Sequence, residues 1–210
     1  MLYKIDSART KILRKGAFSG ESVLYWMSRD KRADDNWALL AAQSVALNNK
    51  VPLIVCFQYL GHFPEANIRQ YGFQLKGLLE LKNKLENLNI EFILTQGRVS
   101  EVIPRIIDEK LVGTIITDYS PLKVYKKRVS KVLNRTKIPF YQIDAHNIIP
   151  VWKASPKKEY AAYTIRKKIH DNLDQFLTDY PSLIKHPYGN IRKNDISYDN
   201  IVNGLKIDFS

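Results

Sequence analysis

The sequence predicts an α/β fold: a Rossmann-like, doubly wound sheet of five parallel strands with flanking helices. Three observations carry this. Five short, mostly apolar runs recur within residues 21–150, the stretches between them place apolar residues at helical spacing, and the two kinds of segment alternate. Strands that short and that apolar suit a parallel sheet covered on both faces. Right-handed crossovers then lay helices on both sides, with an expected strand order of 3-2-1-4-5.

Taken along the chain, residues 1–20 read as an N-terminal extension and 21–150 as the α/β domain. The first strand is 22–28 (SVLYWMS). The helix at 35–49 follows, with Trp37, Leu40, Ala41, Ser44 and Leu47 on one face. The second strand, 53–60 (LIVCFQYL), opens after Pro52. Tyr71, Leu75, Leu78, Leu79 and Leu85 mark a helix over 68–88. The third strand, 90–95 (IEFILT), closes at Gly97, and Val102, Ile103, Ile106 and Ile107 define a helix over 100–110. The fourth strand, 114–118 (TIITD), opens after Gly113. Leu122, Tyr125, Val129, Val132 and Leu133 give a helix over 121–134, with Pro121 suited to its first turn. The fifth strand, 140–144 (FYQID), opens after Pro139. The rhythm then changes. Residues 151–181 read as an interdomain helix, with Ser155 as N-cap, Pro156 as first helical residue and Tyr180–Pro181 as its end. Residues 182–210 are polar and aperiodic and read as a linker towards a further domain.

The 210 residues are 45% hydrophobic and 26% charged, an ordinary globular composition. Thirty-three Lys and Arg against twenty-one Asp and Glu leave +12. That balance points to a polyanionic partner, nucleic acid first and an acidic membrane surface second. One cysteine, Cys56, excludes a disulfide framework and a cysteine-cluster metal site, and suits a reducing compartment. No apolar run reaches the roughly 18 residues of a membrane span, and the N-terminus lacks the apolar core of a signal peptide. A soluble, cytoplasmic protein is expected.

Several common machineries lack their signatures. There is no G-x-G-x-x-G, no G-x-x-x-x-G-K-[ST], no H-E-x-x-H and no G-x-S-x-G, and the four histidines are far apart in sequence. No metal site is expected. The densest unusual stretch is YWMSRDKRADDNW at 25–37, between the first strand and the first helix. In open α/β sheets ligands bind outside the carboxyl ends of the strands. That rule selects Met27, Ser28, Arg29, Asp30, Gln58, Tyr59, Asp118 and Ser120 as candidate lining. The competing reading is a charged loop in which Arg29 and Arg32 pair with Asp30, Asp34 or Asp35, and in which Asp34 or Asp35 caps the helix. Ser120 fits either a ligand or a helix cap. Residues 121–137 hold seven basic side chains and no acid. Their helical period predicts that Lys123, Lys126, Lys127 and Lys131 face outward, either as a solvated surface or as contacts to a phosphate backbone. His146 is expected to be a hydrogen-bonded structural residue, and Trp26, Trp37 and Cys56 to lie in the core.

Three stretches together resemble a known family. YWMSRDKRADDNWALLAAQ at 25–43, DYSPL at 118–122 and DAHNIIPVWKASPKKEYAAYTIRKK at 144–168 are similar to segments of class II cyclobutane pyrimidine dimer photolyases, in the same order and spacing. One departure is Tyr163, where the family's Ala-Arg-Thr-Ile-Arg run has an arginine. The resemblance implies the N-terminal half of a light-driven DNA repair enzyme acting on damaged DNA. Its reduced FAD would sit in a C-terminal helical domain outside this chain, which would be this domain's own partner. No catalytic residue is then expected in this chain, and the chain alone is expected to be inactive. An antenna chromophore in the α/β domain would use the eight crevice residues, and the four lysines would meet the DNA backbone. The alternatives are a stand-alone module for a pigment or nucleotide, and part of a cryptochrome-like light sensor.

Overall fold

A computed structural model describes residues 6–59 and 68–189. Strands β1 (Thr10–Arg14), β2 (Ser22–Met27), β3 (Leu53–Tyr59), β4 (Glu91–Gln96), β5 (Val112–Asp118) and β6 (Phe140–Ile143) form one sheet in the order β1-β6-β5-β2-β3-β4. The five expected strands are β2 to β6, and their order is the expected 3-2-1-4-5, all parallel.

The sixth strand lies outside the sequence expectation. Part of the expected N-terminal extension pairs antiparallel with β6, with Thr10 opposite Ile143 and Ile12 opposite Tyr141. Its sequence, TKILR, mixes charged and apolar residues and is only partly buried, so it lacks the continuous apolar run that marks a central strand.

Helices α1 (Trp37–Asn49) and α2 (Ile68–Asn87) cover one face of the sheet, and α3 (Val99–Glu109) and α4 (Lys123–Leu133) the other. The two cores follow the alternation of the strands. Val23, Tyr25, Met27 and Phe57 face α1 and α2, whereas Leu24, Trp26, Cys56 and Ile115 face α3 and α4. Trp37 joins the first core, and Trp26 and Cys56 the second, as expected.

Five helix expectations need correction. Asn36, not Asp34 or Asp35, caps α1: its Oδ1 accepts from the amides of Ala38 and Leu39, both at 3.0 Å. Helix α1 is also buried well beyond one stripe, because Ala38, Leu39 and Ala42 are buried with Trp37, Leu40 and Ala41. In α2, Leu81 is buried in place of the expected Leu79. Helix α4 begins at Lys123, after Pro121, and Leu122 at its N-cap is 57% exposed rather than buried. Finally, 151–181 is not one helix. A single turn, α5 (Val151–Ala154), is separated from α6 (Ala162–Phe176) by non-helical chain. Ser155 follows α5 in extended conformation, and its hydroxyl donates to Glu159 Oε1 at 2.6 Å while accepting from Lys168 Nζ at 3.1 Å. The staple holds that connection outside the helix.

The expected linker is described only as far as Gly189. Residues 182–189 have no regular structure, but they are clasped to the domain. Gln43 and Ile184 exchange two hydrogen bonds, the His186 amide donates to Leu88 O at 2.7 Å, and Asn89 Nδ2 donates to His186 O at 2.7 Å. The Tyr180 ring lies 4.7 Å from that of Trp37. A Cβ on Gly189 would meet the Asn89 carbonyl oxygen at 2.7 Å, so the strap fits closely there. Among the described residues no helix is long and apolar enough to cross a membrane.

Candidate functional site at the carboxyl ends of the strands

The strand order reverses between β2 and β5, so the crevice of an open sheet opens at the ends of these two strands. Met27 ends β2 and Asp118 ends β5. The Asp118 carboxylate is buried, and four donors reach it. Tyr25 Oη donates to Oδ1. The amides of Ser28 and Arg29 donate to Oδ2 at 2.7 and 2.6 Å, and Ser28 Oγ lies 3.2 Å from the same atom. Burial pushes the Asp118 carboxyl above its ordinary range, and these hydrogen bonds oppose the shift. The Tyr25 hydroxyl is driven well above its usual value, chiefly by burial and then by the adjacent Asp118 charge.

Asn36 extends this chain. Its Nδ2 donates to Tyr25 Oη at 3.1 Å and to the carbonyls of Asp30 and Arg32 at 3.2 and 3.1 Å, while its Oδ1 caps α1. The amides that open this turn and the N-terminus of α1 are therefore already engaged. A dinucleotide phosphate in a Rossmann fold uses the backbone amides of this turn and the helix N-terminus behind it. Here Asp118 occupies the former and Asn36 the latter. This turn does not fit the pyrophosphate of FAD.

Each of the eight candidate lining residues can now be placed. Met27 and Tyr59 are packed in the core of the α1/α2 face. Ser28 and Asp118 are engaged with one another. Gln58 is buried: its Nε2 donates to Tyr59 O at 3.0 Å and Gly97 O at 2.7 Å, and its Oε1 accepts from Arg128. Ser120 Oγ accepts from the Leu122 amide at 3.4 Å, the role of a local turn bond before α4. Arg29 is half-buried, and Asp30 is 6% exposed. Asp30 Oδ1 lies 3.1 Å from His146 Nδ1, and its Oδ2 is buried with no hydrogen-bond partner among the described residues. His146 is thus hydrogen-bonded, as expected, although its side chain is largely exposed. The expected arginine–carboxylate pairing is replaced, with Asp30 meeting His146 and Asp34 meeting Lys84.

Sequence reasoning misses the residues that brace this end of the sheet. Arg9 Nη1 donates to Asn147 O at 2.8 Å and Nη2 to Ile148 O at 2.6 Å, and its guanidinium lies 4.9 Å from the centroid of the Trp37 ring. The Asp144 carboxylate accepts from Asn147 and from the Val151 amide at 2.8 Å, fixing the turn into α5. Tyr25, Asn36 and Asp144 all lie within the three stretches that carry the resemblance. Arg9 has no signal of its own, because its partners are main-chain carbonyls far along the chain.

The four candidate lysines, Lys123, Lys126, Lys127 and Lys131, are all exposed on α4, as their spacing predicts. Arg128 on the same helix turns inward to Gln58, and burial pulls its guanidinium below its usual range.

The profile of the DNA photolyase family matches residues 23–186. A deoxyribodipyrimidine photo-lyase from Potorous tridactylus is 45% identical over 214 aligned positions, covering 99% of this chain and 40% of that protein. One from Arabidopsis thaliana is 39% identical, covering 85% of this chain and 38% of that protein. In fold, the chain is similar to a bacterial class III photolyase from Agrobacterium tumefaciens, with a TM-score of 0.61 over 90% of this chain and 39% of that one, at 18% identity. The chain thus spans about 40% of the length of the proteins it matches.

Proposed function

Because this chain belongs to the DNA photolyase family, we propose that it forms the N-terminal α/β domain of a light-dependent DNA repair enzyme that splits cyclobutane pyrimidine dimers. The observation that carries this reading is the family match over residues 23–186. The flavin belongs, in this reading, to a helical domain outside the chain. Two facts support that division. The relatives are more than twice as long, and the first βα turn here is filled by Asp118 and Asn36 rather than left open for a phosphate. Reduced FAD, once bound in the helical domain, supplies the photoexcited electron. This chain supplies a rigid sheet and the Arg9 and Asp144 brace that sets the direction of the segment leading out of it.

The crevice is a finer part of the proposal. With Met27, Ser28, Gln58, Tyr59, Asp118 and Ser120 packed or hydrogen-bonded and Asp30 buried, an antenna pigment is left the half-buried Arg29 among the eight.

The test is to purify the 210-residue chain, denature it, and assay the supernatant for flavin fluorescence and for other chromophores. A dimer-containing oligonucleotide is irradiated with the intact chain in parallel. No stoichiometric flavin and no repair are expected from the chain alone, with repair restored in the longer protein. One equivalent of flavin released from this chain would sink the proposed division of labour. A non-flavin pigment would support the crevice as its site.

A further inference from the structure

The charge of this protein is not spread over it. Residues 7–20 and 119–143 carry four and seven basic side chains, eleven in all, and no carboxylate. Of the chain's 33 basic and 21 acidic residues, the remaining sequence therefore holds 22 and 21, almost in balance. Nearly the whole +12 excess belongs to two segments about a hundred residues apart in sequence.

The fold joins them. The first segment contains β1, the second contains α4 and β6, and β1 pairs with β6. Arg14 on β1 reaches across to the C-terminal end of α4, donating to Leu133 O at 2.9 Å and also to Thr136 O. Leu13 packs against the same core as Val129, Leu133 and Ile138. A Cβ on Gly16 would lie 3.0 Å from the Pro139 ring, so the end of the first segment runs alongside the turn that carries Lys137.

Three of the eleven cations are engaged internally: Arg9 on the β6–α5 turn, Arg14 on the end of α4, and Arg128 on Gln58. The others are exposed. Lys123, Lys126, Lys127 and Lys131 line α4, and Lys11 and Lys15 flank Arg14 in the sequence of β1 and the residue after it. Arg135 and Lys137 continue the surface on the turn that follows α4. None of the eight meets a carboxylate in the ion pairs among the described residues.

We infer that α4 and the edge strand β1 form one phosphate-binding track that holds the backbone of duplex DNA without regard to the lesion. An eleven-residue helix is about 16 Å long, enough to lie along several successive phosphates of one strand. Flexible lysines without carboxylate partners suit point contacts to phosphates, whereas a site reading bases would present forked arginines or amides to the groove. The inference rests on the DNA-repair reading for the identity of the polyanion.

The test uses the intact 210-residue chain and a fluorescent duplex, undamaged or carrying a pyrimidine dimer, titrated across salt concentration. Lys123, Lys126, Lys127 and Lys131 are changed together to Gln. A control of equal charge changes Lys50, Lys76, Lys157 and Lys185, exposed on other parts of the domain, to Gln. A third variant changes the four α4 lysines to Arg. Thermal unfolding confirms that all three are folded. The plot of log K against log salt is expected to become shallower by about 0.9 for each phosphate that the α4 Gln variant no longer neutralises. The weakening should be equal on both duplexes, with the control and Arg variants close to the parent. An α4 slope no shallower than the control's would overturn the inference, as would weakening confined to the damaged duplex. Binding to vesicles containing phosphatidylserine without binding to duplex would overturn it in favour of a lipid surface. Failure of light-driven repair in the longer protein, with the α4 salt effect intact, would sink the enzymatic reading and leave the track standing.

Discussion

At the scale of single residues, Asp118 ends β5 where the strand order reverses, and its hydrogen bonds tie β5 to β2 and the turn that follows it. The carboxylate closes the β2–α1 turn by accepting from two backbone amides and two hydroxyls. Replacing it by Ala leaves the amides of Ser28 and Arg29 without their acceptor. A buried donor so orphaned costs about 1–3 kcal/mol, so Asp118→Ala should lose about 3–5 kcal/mol in urea unfolding. Asp118→Asn keeps one acceptor oxygen and sheds a costly buried charge, so it should lose less. A loss below about 1 kcal/mol for the Ala variant would show that the turn does not depend on this carboxylate. Position 118 is legible in the sequence as a strand-end carboxylate. Its role is not, because the choice between ligand and backbone depends on where Ser28 and Arg29 direct their amides.

At the scale of elements, the strap at 180–189 shows why α1 is buried beyond a single stripe. Amphipathic spacing describes a helix that meets one surface. Helix α1 meets the sheet on one side and the returning chain on the other, through Tyr180 and Ile184. His186 fastens this strap: its Nε2 donates to Val51 O at 2.9 Å, while Nδ1 is buried without a partner among the described residues. Burial lowers its pKa from the ordinary value of 6.5. The folded strap therefore favours neutral imidazole, and the unfolded state takes up the proton first as pH falls. The stabilisation is full above about pH 6.5 and declines as pH drops from there towards the folded pKa. Amide hydrogen exchange over 182–189, corrected for its intrinsic pH dependence, should accelerate between about pH 7.5 and 5.5, more than in β2 and β3. His186→Gln should flatten that dependence. Equal corrected exchange at both pH values in the parent would refute it.

At the scale of the whole molecule, residues 6–20 are bound into the sheet and its flanking turns. They supply the sixth strand, the buried Arg9 that serves the β6–α5 turn, and the cap on α4. Removing residues 1–14 strips Leu13 from the core and orphans the carbonyls of Asn147 and Ile148. A loss of at least about 3 kcal/mol follows from that apolar area and those acceptors, with aggregation through the bared edge of β6. A truncated chain that melts within a few degrees of the parent would return the segment to the status of an extension.

The five parallel strands, their order and the outward lysines of α4 were determined by the sequence itself, because each depends on local period and on steric rules that hold for any chain. The tertiary structure alone decided the rest. The edge strand β1 is too polar to announce itself, and it forms because β6 offers an unpaired edge. Asn36 wins the cap from two neighbouring aspartates because it can also donate to Tyr25, a residue it meets only in the fold. The charge sum is visible in the composition. Its concentration on one surface depends on the pairing that sets residue 11 beside residue 142, a contact no local pattern encodes.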